Sequence, residues 1–582
     1  MSFASALPAW IPAWLPPGSL LILGALLLPL LRGRLLQGYL VALPVLSLGH
    51  LLLTPVFDPS AAVTWSVLGL ELNPVRLDGL SRIFGLIFHL AALLGMIYAL
   101  HLKSRLQHAA ALIYTGSAIA AVLAGDLITL FIFWELTAIS SVFLIWARRT
   151  SRARRAGLRY LVIQVASGVL LLAGAAVWQR ATGSVEFGAI GLDGGGIAGL
   201  GGWLIFLAFG IKACFPFLHG WMQDAYPEAT ITGTVFLSGF TTKLAIYALA
   251  RSFAGTDLLI PIGALMTAFP IFYAVIENDL RRVLAYSLNN QLGFMVVGIG
   301  IGTELALNGA AAHAFAHILY KALLFMSMGA VLLRAKTVNG SDLGGLYKSM
   351  PWTCAFCCIG AASISAFPLF SGFVTKSMIL SAAAKEHHTL VYLVLLFASA
   401  GVFHHSGIKI PYFAFFAHDR GIRVKEAPFN MLLAMGLTAF LCIFVGVAPG
   451  LLYDLLPFGE GYHPYTTAHV ITQLQLLLFS ALAFVFLQKT GLYPPELRSV
   501  NLDVDGLYRR FAPAVLAPAG ETLARTWARA AAGVQRTFSR LLALLKELYG
   551  PQSVLGEPWP TGRTTLLAAL LLALYLVLYY FR

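Results

Sequence analysis

Charge is what this sequence has least of: only 11% of its 582 residues are Asp, Glu, Lys or Arg, where a soluble domain carries about a quarter. That shortage excludes a soluble enzyme, a disordered chain and a nucleic-acid binder. Cysteine is scarce too. The five cysteines (Cys214, Cys354, Cys357, Cys358 and Cys442) all fall in apolar stretches, so an extracellular disulfide framework is excluded. Cys354, Cys357 and Cys358 make a C-x-x-C-C run, but a second ligand pair and a polar setting are missing. No metal, redox centre or cofactor is expected. Acidic residues are fewer than basic ones, 25 against 39, yet the basic residues are isolated or confined to short loops, which reads as membrane topology and not as a polyanion-binding surface.

Apolar residues make up 59% of the chain. A membrane-spanning helix needs about 20 of them in succession, and by that measure there are about sixteen candidate spans: 19–33, 36–55, 79–102, 107–124, 126–147, 157–178, 200–221, 229–252, 257–277, 283–302, 306–334, 350–384, 389–417, 428–454, 469–488 and 564–581. The N-terminal stretch with Pro8, Pro12, Pro16 and Pro17 lacks a basic region and an A-x-A cleavage site, so the first helix is expected to remain in the product. Basic residues test the count independently. The ends of odd-numbered spans carry Arg32 and Arg34, Lys103 and Arg105, the Arg148–Arg155 cluster, Arg281 and Arg282, Arg334 and Lys336, Arg420, Arg423 and Lys425, and Lys489. Even-numbered ends carry Asp58, Glu71, Glu186, Asp193, Glu304, Asp454 and Glu460, with scattered Arg76, Arg180, Arg251 and Lys385. The alternation predicts an outside N-terminus and a cytoplasmic Arg148–Arg155 loop.

The tail is of a different kind. From Gly520 to Gly550, residues Leu523, Trp527, Val534, Phe538, Leu541 and Leu545 share one helical face and Arg525, Arg529, Arg536 and Arg540 the other. This predicts an amphipathic helix lying along a surface, either the membrane interface or a partner subunit, followed by an anchor span from Thr564 to Phe581.

Charge inside an apolar span costs about 3 kcal/mol even on the lenient insertion scale, so the few intramembrane ionisable residues are functional candidates. Glu135 lies mid-span after Trp134. Lys212 lies one turn before Pro216, which should break its helix. Lys243 is mid-span in Phe240-Thr-Thr-Lys. His313, His317 and Lys321 follow at i, i+4 and i+8, near one helical face. Lys376 follows Pro368 and Gly372 in a second interrupted segment. Any of these alone could be a structural partner. Together, one carboxylate and four lysines have too few buried anions for simple pairing, and low dielectric disfavours an unpaired ammonium, which suits lysines to loading and releasing protons. His313-x-x-x-His317 has the spacing of a metal pair but no third ligand. A proton relay is the better reading. Pro- or Gly-broken segments in corresponding places also point to an inverted-repeat transporter with its site near the midplane.

The run Leu218-His-Gly-Trp-Met-Gln-Asp-Ala-Tyr-Pro-Glu-Ala229, with Leu237-Ser-Gly-Phe-Thr-Thr-Lys243, Asp279-Leu-Arg-Arg-Val-Leu-Ala-Tyr-Ser287, His313-Ala-Phe-Ala-His-Ile-Leu-Tyr-Lys-Ala-Leu-Leu-Phe325 and Ser371-Gly-Phe-Val-Thr-Lys376, resembles the antiporter-like membrane subunits shared by Mrp-type cation/proton antiporters, complex I and group 4 membrane hydrogenases. The resemblance covers about residues 70–420, and Gly407-Ile-Lys-Ile-Pro-Tyr-Phe-Ala-Phe-Phe416 looks most like the Mrp D-type large subunit. One departure is Ala229-Thr-Ile, where the family usually reads Ala-Pro-Thr. The tail resembles the lateral helix and anchor of the distal complex I subunit, which D-type subunits often lack.

The resemblance implies an all-α polytopic fold of about fourteen core helices with two inverted five-helix repeats, each holding one broken helix. The expected divisions are N-terminal helices (1–106), a first repeat (107–252), a second repeat (257–417), C-terminal core helices (428–488), and a polar linker, lateral helix and anchor (489–582). It implies a Glu135–Lys212 pair, central relay groups at Lys243 and His313/His317, and a terminal lysine at Lys376. The expected function is proton and cation translocation in a multisubunit Mrp-type antiporter of a bacterial inner membrane, with other membrane subunits, lipid, protons and Na⁺ or K⁺ as partners. Two alternatives share the same relay: a proton-pumping subunit of a complex I-like or hydrogenase-like redox complex, and a proton-conducting partner in inorganic-carbon uptake.

Overall fold

The computed structural model describes residues 14–54, 63–192, 194–459, 461–498, 501–550 and 559–581. Pro8, Pro12, Asp58, Asp193 and Glu460 lie outside the described residues. Every apolar segment read from the sequence contains helix. Among the described residues eleven helices are long and apolar enough to cross a membrane, and Ser19–Leu30, Ile197–Ala213 and Pro351–Ile364 are shorter apolar helices. The chain is an all-α polytopic membrane protein. Several helices start where a short polar side chain can accept their free N–H groups, each such cap contributing about 1 kcal/mol: Asp78 before Gly79–Ala99, Asp126 before Leu127–Trp146, Thr150 before Ser151–Thr182 and Asp279 before Leu280–Ile301.

Burial is graded. Ile231–Ser252 and Glu304–Ala335 are almost wholly enclosed by other helices, whereas Thr467–Thr490 is mostly exposed. The enclosed helices carry Lys243, His313, His317 and Lys321, because a polar side chain there faces protein groups and not hydrocarbon.

Opposite ends of Leu127–Trp146, which a 20-residue helix separates by about 30 Å, lie in two different charge environments. At its C-terminal end, Arg148 and Arg281 both donate to the Pro227 carbonyl, at 2.6 and 3.0 Å, and Arg152 pairs with Glu228 at 2.6 Å. At its N-terminal end the backbone at Asp126 pairs antiparallel with that at Glu186, whose side chain pairs with Arg76 at 3.4 Å, and Arg251 grips Asp78 through two 2.8 Å bonds. The scattered basic residues Arg76 and Arg251 are thus neutralised locally.

Three departures from the sequence reading have simple physical causes. First, Trp65–Val67 and Leu70–Leu72 form an antiparallel hairpin with Trp65 opposite Leu72. Both turn residues, Leu68 and Gly69, take positive φ (53° and 78°), the primed turn that matches strand twist, and a leucine in the first position hides that signal. Second, the 229–252 span is two helices, Ile231–Gly239 and Thr241–Ser252, with a break at Phe240. Third, the amphipathic helix begins at Ala512 and not at Gly520, since Pro513 falls in the first turn, where no backbone donor is required.

Two compact units result, Met1–Asn501 and Leu502–Arg582. Within the second, Ala512–Tyr549 has no buried residues, and Thr561–Tyr580 is a separate apolar helix.

Candidate functional site

Glu135 projects from the middle of Leu127–Trp146 toward Ser151–Thr182. Its Oε1 is buried and makes no hydrogen bond. The space it fills exists because residue 168 is glycine: a Cβ there would overlap Glu135 Oε1.

Lys212 is the penultimate residue of Ile197–Ala213, which ends when Cys214 turns left-handed at φ 65°. The freed end is held by Phe215 N donating to Gly210 O (3.0 Å) and Trp221 Nε1 donating to Ile211 O (3.0 Å). Lys212 Nζ donates to Trp134 O at 2.7 Å and Thr137 Oγ1 at 3.3 Å, and sits 4.1 Å from the Trp134 ring centroid, a cation–π distance. It therefore docks one residue away from Glu135 and interacts with that carboxylate through space, not through contact.

Lys243 occupies the Phe240 break. Its Nζ donates to Ser238 O at 2.6 Å, a carbonyl released by the break, and to Thr242 Oγ1 at 3.3 Å. Lys376 repeats the pattern beyond the Ile364–Ser371 interruption, where Ala366 and Leu369 take φ 58° and 75°. Its Nζ donates to Ile364 O at 3.1 Å and lies 5.1 Å from the Phe294 ring centroid. Three lysines thus sit at three helix interruptions, and each is held by a backbone carbonyl of a broken or packed helix in place of a carboxylate. Such contacts leave the nitrogen free to lose its proton without leaving a buried anion behind.

Between Lys243 and Lys376 runs the Glu304–Ala335 helix. His313 Nδ1 is 3.1 Å from Thr375 Oγ1, the neighbour of Lys376 in sequence, and its Nε2 is 3.3 Å from Tyr320 OH. Tyr320 OH donates to Gln291 Oε1 (3.0 Å), Gln291 Nε2 to Asn290 Oδ1 (2.6 Å), and Asn290 Nδ2 to Thr267 O. The His317 ring is 6.3 Å from that of His313 and 5.3 Å from that of Tyr320. Both His317 nitrogens and Lys321 Nζ are buried without a hydrogen-bond partner. Hydroxyl and imidazole groups in one line can pass protons by exchanging donor and acceptor roles, and the Gln291 and Asn290 amides hold the Tyr320 hydroxyl in orientation.

The structure therefore brings His313 to Lys376 through Thr375, sets His317 beside His313 and within electrostatic reach of Lys321, and sets Lys212 beside Glu135. Lys212 and Lys243 are not joined by a hydrogen bond. Cys214 lies between them: it contacts Lys212 O at 3.9 Å and is within electrostatic reach of Lys243. Sequence reasoning missed Tyr320, Gln291, Asn290 and Thr375, because neutral polar residues in apolar spans carry no charge to mark them. It also left Lys409 without a role, although that wholly buried residue meets the same criterion as the other lysines.

Residues 124–403 match the family model described as NADH:quinone oxidoreductase/Mrp antiporter, TM. The chain is 28% identical over 420 residues to hydrogenase-4 component B of Escherichia coli, covering 64% of this chain and 62% of that protein. It is 31% identical over 318 residues to the D-type Na(+)/H(+) antiporter subunit of Alkalihalophilus pseudofirmus, covering 52% of this chain and 64% of that one. In folded form it resembles a chain of the Mrp complex of Dietzia sp., with a TM-score of 0.76 and 25% identity over 90% of this chain and 62% of that chain. The chain thus spans a little under two thirds of the length of these relatives. In the matched core and in its fold, the chain is similar to the antiporter-like membrane subunits found in Mrp antiporters, complex I and membrane hydrogenases.

Proposed function

We propose that this chain is a proton- and cation-translocating membrane subunit of a multisubunit Mrp-type monovalent cation/proton antiporter, sitting in a bacterial inner membrane with its N-terminus outside. It is an ion-transporter subunit and not an enzyme. The observation that carries the reading is the set of buried lysines at helix interruptions, held by carbonyls, with His313 and His317 packed among them. Lys212 loads a proton while the Glu135 charge stabilises its ammonium. Moving that charge away favours release, and the proton passes by Lys243, His313, His317 and Lys321 to Lys376, which exchanges it with the outer side. The 420-residue similarity to hydrogenase-4 component B supports a second reading, a proton-pumping subunit driven by redox chemistry elsewhere. The genes beside this one separate the two: small antiporter subunits for the first, redox subunits for the second.

The test is proton flux in proteoliposomes holding the assembled complex. Glu135→Ala leaves the Lys212 ammonium without its compensating charge, and Lys212→Ala removes the carrier. Each is expected to lower flux by at least about tenfold, a barrier change of about 1.4 kcal/mol. Near-normal flux in either variant would remove the pair as the driving element.

A further inference from the structure

Lys409 has no part in the relay described above, yet its surroundings are built. It lies on Thr389–Phe416, a helix wound as π at Phe403–Ile408 and again at Tyr412–Phe416, with Lys409 in the short α-helical turn between. Two π segments in one span are rare and tend to mark functional positions. Lys409 Nζ donates to Ala274 O (3.2 Å), Val275 O (2.6 Å) and Glu277 O (2.7 Å), the carbonyls left free at the C-terminal end of Leu259–Ile276, where a cation is favoured. It also stands 2.9 Å from Glu496 Oε1, with the lysine side chain fully buried and the glutamate 6% exposed.

Glu496 arrives from outside the helical core. Gly491, at φ 70°, ends Thr467–Thr490, and the chain that follows lies back over the bundle as a strap. Tyr493 is buried, its ring 5.3 Å from Phe484, 5.5 Å from His404 and 6.2 Å from Phe413. That aromatic cluster already holds the strap. A buried ion pair is a weak source of stability that an apolar pair of similar volume usually matches, so fastening the strap does not explain why a lysine and a glutamate stand here.

The pair stands between the charged residues of the basic face and the interior of the bundle. Toward the basic face, Glu277 approaches Arg282 at 3.8 Å and accepts from Asn501 at 3.2 Å, and the exposed Arg498 pairs with Asp342 at 2.8 Å. Toward the interior, His405 Nδ1 is 2.9 Å from Ser406 Oγ, which donates to Ser287 Oγ at 2.7 Å. His405 Nε2 is buried without a partner, and the ring is within electrostatic reach of Lys321, Lys376 and Lys409.

We infer that Lys409 and Glu496 form the port through which protons pass between water at the basic face and the buried lysine–histidine line. The inference rests on the proton-translocating reading above. In the loading direction, an N–H bond of the Lys409 ammonium breaks and its proton goes inward to the His405 imidazole, which becomes imidazolium. Hydronium at the face protonates the Glu496 carboxylate, and the new O–H then breaks to return a proton to the Lys409 amine. One proton has moved inward, and the pair is restored. The titratable groups facing the pair are Glu277, with Arg282 beside it, His404, His405 and Tyr493.

The experiment is Na⁺- or K⁺-gradient-driven proton flux in proteoliposomes of the full complex, in both membrane orientations, with the pH of each compartment varied separately. Lys409→Arg keeps the charge and the pair but does not release its proton, and Glu496→Gln keeps the shape and removes the acid. Each is expected to assemble and to lose at least about tenfold in flux. Glu496→Asp is expected to retain flux with a pH profile shifted only for the basic-face compartment, which a fastening role would leave alone. Wild-type flux in Lys409→Arg, or a Glu496→Gln protein with unchanged rate and pH profile, overturns the port while Lys212→Ala remains inactive. Wild-type flux in Lys212→Ala fails the underlying reading instead.

Discussion

A glycine decides where the Glu135 carboxylate can be. With any side chain at residue 168 the Oε1 position is taken, so Gly168→Ala is expected to push Glu135 out of its buried place beside Lys212. The change is one methyl group, yet overpacking a tight site costs about 1–3 kcal/mol, enough to lower proton flux by about tenfold or more while the complex still assembles. Flux at matched expression checks this, and an unaltered rate would mean that the carboxylate position is not critical. The charged candidates, Glu135, Lys212, Lys243 and Lys376, were legible because each stands alone in an apolar run, where its cost demands a reason. Gln291, Asn290 and Tyr320 were not, since their value lies in a hydrogen-bond line that only packing assembles. Lys409 was visible as a residue but not as a site, because its partner Glu496 lies far along the chain in a stretch that reads as polar linker.

At the scale of elements, Lys212, Lys243 and Lys376 each stand at a helix interruption. Pro216 and Pro368 announced two of these interruptions. The break at Phe240 carries no proline: Ser238-Gly239-Phe240 reads as continuous apolar helix, and tertiary packing overrides local preference there. Helix ends outside the membrane respond to pH in a way that can be measured. Burial pushes the Asp78 carboxyl up, but the two bonds from Arg251, the Ser81 N–H and the nearby Arg76 outweigh it and hold the group at about 2. A folded-state value below the unfolded one gives stability that is present above about pH 4 and lost as pH falls toward 2. Asp78→Asn is therefore expected to lower the thermal midpoint at neutral pH, by an amount corresponding to about 1 kcal/mol after discounting for partial exposure, and to flatten the loss of stability between pH 4 and 2. A variant that keeps the wild-type acid slope would assign that slope to other carboxylates.

At the scale of the whole molecule, the sequence carried the polytopic character and the family likeness, because hydropathy and motif spacing are local quantities. The line of exchangeable groups is not local. It joins Leu280–Ile301, Glu304–Ala335 and Ser371–Lys385 side by side, residues far apart in the chain, and emerges only from their packing. The central claim is that protons cross this line by repeated release from buried lysines, with Lys376, held by a carbonyl at 3.1 Å, proposed as its outer end. The most direct test is cation-gradient-driven proton flux through proteoliposomes containing the assembled complex with Lys376→Arg, measured beside Lys376→Ala. A guanidinium preserves the charge and the carbonyl contact but stays protonated at any accessible pH. The account predicts that Arg fails almost as badly as Ala, each losing at least about tenfold in flux at normal assembly. Flux near the wild-type rate in Lys376→Arg, with Ala inactive, would make Lys376 a scaffold and contradict the account.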